Sequence, residues 1–225
     1  MLFLEFVLII AVDGPSGAGK GTIAAYLASL YNLKHLDTGL LYRATAFLAI
    51  EKNVSFDEEA ALSSIASSID LEALNDPRLR HESTANAASK VAVFPAVRNI
   101  LTHQMHLFCQ NILPPYVGAI LDGRDIGTFV YPNADLKFFV TAEAGIRATR
   151  RHKEMKEQNQ KIEGAVLEKL TERDARDSNR ASAPLCPAPG AYIIDTTDLT
   201  AHDACQVASQ VVERYLNAKK TQLEG

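Results

Sequence analysis

A chain of 225 residues with 47% hydrophobic and 22% charged side chains can bury a full core of its own, which excludes a disordered chain and a small disulfide-stapled scaffold. Its 23 basic and 27 acidic side chains leave a net charge of −4, so bulk charge does not recruit a nucleic acid and any phosphate chemistry must be local. The three cysteines, Cys109, Cys186 and Cys205, lie far apart without metal-ligand spacing, which fits a reducing compartment.

The first apolar run, residues 3–12, contains Glu5, lacks a basic leader and stops at Asp13-Gly14-Pro15. It falls short of the ~20 residues that a membrane span needs, and it reads as a buried central strand. The expectation is a cytoplasmic protein with no membrane partner. A helical pattern over 20–31 follows, then a strand at 33–37 and helices at 39–52 and 57–68. Residues 70–82, with Asn75-Asp76-Pro77, read as a loop or small excursion, and one long helical stretch is expected at 83–110. Strands at 118–122, 135–141 and 191–195 alternate with helical patterns at 143–158, 163–180 and 200–219. Strands separated by helices imply a parallel sheet covered on both faces, a three-layer α/β fold with five strands. In such folds ligands sit beyond the carboxyl ends of the strands, where Asp13-Gly14, Asp37-Thr38-Gly39, Asp122-Gly123 and Asp195-Thr196 are expected to converge. Residues 143–190 hold six of the twelve arginines and read as a charged helical arm, a candidate lid.

The run Gly14, Pro15, Ser16, Gly17, Ala18, Gly19, Lys20, Gly21 and Thr22 lies between an apolar strand and an amphipathic helix, the context that a phosphate-binding P-loop requires. Its glycines let backbone N–H groups turn inward on an anion, the helix N-terminus adds positive potential, and Lys20 supplies a point charge for terminal phosphates. Gly21 stands where a serine or threonine is usual, so Thr22 is left to bond a phosphate or a metal-bound water. No Asn-Lys-x-Asp run marks a GTPase, and the strand ending Ile120-Leu121-Asp122-Gly123 lacks the adjacent Asp-Glu of motor ATPases.

Transfer of a phosphoryl group between two anionic substrates needs cations around it and water kept out, and a closing arginine-bearing arm supplies both. Arg173, Arg176, Asp177 and Arg180 would share one face if helical. The competing reading is a solvated helix whose interleaved Glu172, Asp174 and Asp177 pair with those arginines.

Five blocks in order then resemble the bacterial-type cytidylate kinases of the nucleoside monophosphate kinase superfamily. They are Asp13 to Thr22, Leu36-Asp-Thr-Gly39 with Tyr42-Arg43, Asn86-Ala-Ala-Ser89 through Phe94-Pro95 to Arg98, Asp122-Gly-Arg-Asp125-Ile-Gly127, and Glu172 through Asp177 to Arg180. The resemblance covers almost the whole chain. It implies one P-loop kinase domain over 1–225, with a sheet core from 1–36, 111–142 and 190–225, an NMP-binding region over about 37–110 and a lid over about 143–189. It implies that ATP with Mg²⁺ phosphorylates CMP or dCMP in a monomer. Gly14 to Thr22 would hold ATP. Arg43, Arg124 and Arg180 would grip the CMP phosphate, while Ser89, Arg98 and Asp125 would read cytosine. Asp177 would contact the sugar with Arg173 and Arg176 nearby, and Thr38 keeps a hydroxyl where serine is common. Lys20, Arg124, Arg176 and Arg180 would stabilise the transferring group, and Mg²⁺ would be reached by Thr22 or Asp122 only through water.

Other readings of the same residues stay open at this level. Arg98 and Asp125 could form a structural ion pair, and Arg43 or Arg124 could pair with Asp37 or Asp122. Asp122 could orient metal-bound water or fix its turn. The histidines, His35 among them, carry no metal spacing and read as packed or solvated. Rival functions are another small P-loop kinase, acting on UMP, AMP or a non-nucleotide acceptor, and a silent nucleotide-binding protein.

Overall fold

The computed structural model describes residues 7–157 and 166–223. Five parallel strands run β1 Leu8–Asp13, β2 Leu33–Asp37, β3 Gly118–Gly123, β4 Leu136–Thr141 and β5 Tyr192–Asp195, in the spatial order β2-β3-β1-β4-β5. All five match the expected strands within one residue at each end, except that β1 begins at Leu8. Residues 3–6 of that expected strand, like residue 158 and residues 163–165 of the two expected lid helices, lie outside the described residues.

β1 is central because it is apolar on both faces. Ala11 packs with Leu36, Leu41 and Leu121 on one side, while Leu8, Ile10 and Val12 pack with Ile120, Phe138 and Val140 on the other. The second side is covered by α1 Lys20–Tyr31 and α8 Ala201–Leu223. The first is covered by α2 Gly39–Glu51, α3 Glu59–Ser67, α4 Glu82–Val91 and α5 Pro95–Gln110. Between β4 and β5 the chain leaves the sheet as α6 Ala144–Glu157 and α7 Val166–Ser178.

Three local features depart from the expectations. The stretch at 83–110 is two helices, because Pro95 holds Phe94 extended (φ −82°, ψ 118°) and forbids the helix from running through it. The loop at 70–82 contains two short 3₁₀ turns, Leu71–Asn75 and Pro77–Arg80. Asp76 caps the second by accepting the Arg78 amide at 2.8 Å. Residues Ile126–Val130 form a wide turn, with the Val130 amide reaching the Asp125 carbonyl at 3.1 Å.

Among the described residues no helix is long and apolar enough to cross a membrane, and all three cysteines are free thiols.

Candidate active site

The strand ends converge as expected. The P-loop passes from β1 into α1 with Gly14 at φ +149°, where a Cβ would stand 2.0 Å from the Val140 carbonyl oxygen. Gly19, at φ +92°, then opens α1 without any side-chain cap, and no acidic residue occupies the first turn. The positive end of the helix is therefore not neutralised by the chain itself.

Two cavities flank this loop. The first is walled by Lys20, Thr38, Arg43, Ser89, Arg124, Asp125, Arg173, Asp177 and Arg180, which brings together most of the residues singled out from sequence. Ser16 and Gly21 also face it. The second lies on the other side of the loop, lined by Gly17, Ala18, Gly19 and Thr22 with Arg150, Thr196 and Thr200. Thr22 thus faces away from the Lys20 cavity. Arg150 frames the second cavity by donating to Thr196 Oγ1 at 2.8 Å and to the Thr196 carbonyl at 2.6 Å.

Lys20 is buried, donating to the Pro15 carbonyl at 3.2 Å. Burial first, and the Arg124 guanidinium second, pull its ammonium down to a pKa of about 7. Arg43 and Arg173 are likewise lowered by burial and by neighbouring guanidinium groups, each keeping its charge at neutral pH. Such crowding of desolvated cations is costly by itself and is relieved by an anion.

The acidic residues divide the labour. Asp13 accepts the Ile126 and Gly127 amides at 2.8 and 2.7 Å, tying the P-loop strand to the turn behind Asp125. Burial pushes its carboxyl up to about 6. Asp122 accepts from His35 Nε2 at 2.7 Å, and its backbone carbonyl takes the Thr38 hydroxyl at 2.9 Å. The Thr38 hydroxyl is therefore committed to holding β2 against β3. Asp37 is held above the usual carboxylate range by burial and then by Asp122 beside it, and Arg80 reaches it at 3.4 Å.

The arm of α6 and α7 rests on α4 and on the end of β3 through several contacts. Arg151 donates to Glu82 at 2.7 and 2.8 Å, and Arg124 Nε donates to Asp177 at 3.0 Å. Arg147 pins the root of the arm, donating to the carbonyls of Ser16 (3.1 Å) and Ala142 (2.9 Å) and to Asp174 (2.5 Å). The acidic residues of α7 do form ion pairs, as the solvated-helix reading requires, but Asp174 and Asp177 take arginines from other elements. Arg173 and Asp177 are buried at the cavity, and Arg180 lies beyond the end of α7 and donates to the Ala183 carbonyl at 2.7 Å.

Two of the arginines singled out from sequence, Arg98 and Arg176, stand off the wall of the first cavity. Arg98 is 1% exposed and lies behind Asp125, donating to its carboxylate, with its guanidinium over the rings of Phe129 and Tyr42 at 5.7 and 5.8 Å. Arg176 turns toward α4, donating to Ser89 Oγ and to Asn86 Oδ1. Conversely, sequence reasoning assigns no site role to Tyr42 or Arg80, which line the cavity, or to Arg147 and Arg151, which hold the arm. Tyr42 had a local signal in the Tyr42-Arg43 pair; Arg80 had none, since it sits in a segment read as a loop.

Known proteins resemble this chain in sequence and fold. The family model described as "Cytidylate kinase" covers residues 10–215. The cytidylate kinase of Methylocella silvestris is 46% identical over 92% of this chain and 94% of its own length. That of Bradyrhizobium diazoefficiens is 42% identical over 92% of this chain and 96% of its own. A crystal structure of a gluconokinase from Sinorhizobium meliloti superimposes over 97% of this chain and 99% of its own with a TM-score of 0.51 at 10% identity, a likeness of fold. With a family model spanning nearly the whole chain and relatives matched end to end, the chain belongs to the cytidylate kinase family.

Proposed function

We propose that the protein transfers the γ-phosphoryl group of ATP to CMP or dCMP, giving ADP and CDP or dCDP, as a cytoplasmic monomer of pyrimidine nucleotide metabolism working as one domain. The observation that carries this reading is the pair of cavities flanking the P-loop, the first holding Lys20, ringed by Arg43, Arg124, Arg173 and Arg180 and ending at Ser89 and Asp125. ATP occupies the second cavity with its nucleoside, beside Arg150 and Thr200, and wraps its phosphates in the loop from Gly14 to Thr22. The acceptor enters the first cavity phosphate-first, toward Arg43, Arg124 and Arg180. Asp125 takes the 4-amino group of cytosine, and Asp177 with Arg173 meets the sugar. Donor and acceptor phosphates then face each other across Lys20, and transfer is in line with no phospho-enzyme.

An acceptor phosphate oxygen is already ionised at neutral pH, so no side-chain base is required. Positioning and charge stabilisation supply the rate. The arm excludes water that would otherwise hydrolyse the donor. A silent sensor would have no need of four cations gathered at the acceptor end. Asp37 and Asp122 are suited to a divalent ion: two neighbouring carboxylates, one buried and raised by the other, are relieved by positive charge between them and the phosphates. When bound, Mg²⁺ neutralises and braces the donor phosphates.

An ADP-release assay across CMP, dCMP, UMP, AMP, shikimate and gluconate tests the reading. Turnover is expected with CMP and dCMP well above the rest, and a best rate with a purine or a sugar acid rejects it.

The depressed ammonium of Lys20 gives a second expectation. Polyphosphate favours the charged lysine, so ATP binding takes up a proton above pH 7. Affinity should then fall with rising pH, by up to about tenfold per unit between pH 7.5 and 9. Titration calorimetry in buffers of different ionisation enthalpy reads the proton uptake directly. A pH-independent affinity would refute the coupling.

A further inference from the structure

Ser89 lies on α4 and lines the acceptor cavity together with Asp125. Its hydroxyl has one hydrogen and two lone pairs. The hydrogen is donated to the Asn86 carbonyl at 2.9 Å, a direction that is forced because a carbonyl only accepts. One lone pair is taken by Arg176, and that direction is forced too, because a guanidinium only donates. The second arm of the same guanidinium donates to Asn86 Oδ1 at 2.7 Å, so the planar fork is pinned at two acceptors three residues apart on α4. What the Ser89 hydroxyl has left for the cavity is a single lone pair.

We infer that Arg176 is a specificity-setting positioning residue: by holding the Ser89 hydroxyl as a pure acceptor, it makes this wall of the cavity select a base with an exocyclic amine and reject one with an oxo group in its place. The inference rests on the acceptor-site reading above and deepens it. The 4-amino group of cytosine donates to that lone pair and to Asp125, whereas the 4-oxo group of uracil would face two acceptors with no hydrogen between them. Arg176 anchors Ser89 Oγ in the rotamer whose hydrogen meets the Asn86 carbonyl; without that anchor the side chain can turn, give up the local bond and donate toward an oxo group. The placement of Arg176 supports this role over direct contact with the transferring phosphoryl group. It faces α4, while Arg173 and Asp177, on the same helix, line the cavity.

The test measures CMP and UMP affinity by calorimetry and kcat/KM with ATP for the wild type, Arg176→Met, Asn86→Ala and Ser89→Ala, and for Ser89→Ala combined with Arg176→Met. Arg176→Met is expected to lower the CMP-to-UMP preference about tenfold, and Asn86→Ala, which removes the second anchor of the fork, to lower it less. In the Ser89→Ala background, Arg176→Met should change the preference no further. Equal loss of kcat for both acceptors with an unchanged preference would overturn the inference and return Arg176 to the transferring group. So would an equal fall of the preference with and without Ser89, or a wild type that binds UMP as well as CMP. If Arg176→Met fails to fold, an unchanged preference in Asn86→Ala overturns it alone. A wild type that prefers CMP in binding yet phosphorylates neither acceptor would refute the kinase reading, and the affinity ratios would still decide the role of Arg176.

Discussion

Lys20→Met is expected to cut kcat about a thousandfold while leaving the apo protein as stable as the wild type, or more so, at pH 7 to 8. The loss follows from position. The ammonium lies on the wall of the first cavity, the only lysine there among the described residues, where the proposed transfer would gather charge. Methionine keeps an unbranched stem of nearly the same reach, so what is lost is the ammonium and its bond to the Pro15 carbonyl. The stability half follows from linkage. The folded pKa of Lys20, about 7, lies below its ordinary value of 10.5, so between those values the unfolded chain binds more protons than the folded one. The lysine therefore penalises folding most fully below pH 7, and the penalty is relieved as pH rises toward 10.5. Replacing it removes that slope. Thermal unfolding of both proteins from pH 6 to 9, with steady-state rates at one pH, checks both halves. A variant that is much less stable at pH 6, or that keeps near-normal turnover, would contradict the account.

Four of the strands are legible in the chain as short apolar runs closed by Asp, Gly or Thr, and β2, which carries Lys34 and His35, by the Asp37-Thr38-Gly39 turn that closes it, patterns that depend only on neighbours in sequence. The P-loop is legible for the same reason, since its glycines, its lysine and the following helix are contiguous. What is not legible is anything set by a contact between distant segments. Arg176 has the spacing of a cavity-facing residue on α7 in the chain alone. The rotation of α7 against α4 sends it instead to Asn86 and Ser89, ninety residues away along the chain. Arg180 leaves the shared face because α7 ends at Ser178. Asp13 shows the same limit: its place at a strand end suggests a turn, but its grip on the Ile126 and Gly127 amides exists only once β1 and β3 pair. The loop at 70–82 conceals Arg80 and the Leu79 carbonyl, which receives Arg43 at 3.1 Å, because 3₁₀ turns have no long periodicity to read.

Arg98→Met should carry the second large effect, because Arg98 is bonded to the carboxylate of Asp125, which also lines the first cavity. The pair is a structural ion pair: Arg98 is 1% exposed and bonded to the Asp125 carboxylate, with Arg180 at 4.0 Å from its other oxygen. Asp125 is at the same time on the wall of the first cavity. Removing the arginine leaves a buried carboxylate with only the more distant Arg180 to offset it. The expected cost is about 3 kcal/mol, or roughly 6–12 °C in Tm for a chain of this size. The CMP-to-UMP preference should fall with it, because an unbraced carboxylate no longer holds its oxygen at the base. The two effects separate in the double variant Arg98→Met/Asp125→Leu. Two apolar side chains of similar volume remove the orphaned charge, so most of the lost stability should return. Preference should not return, since nothing on that wall then accepts from the 4-amino group except Ser89. Thermal unfolding paired with kcat/KM for both acceptors reads the outcome. If stability and preference recovered together in the double variant, the ion pair would be a packing element alone, and cytosine would have to be recognised elsewhere in the cavity.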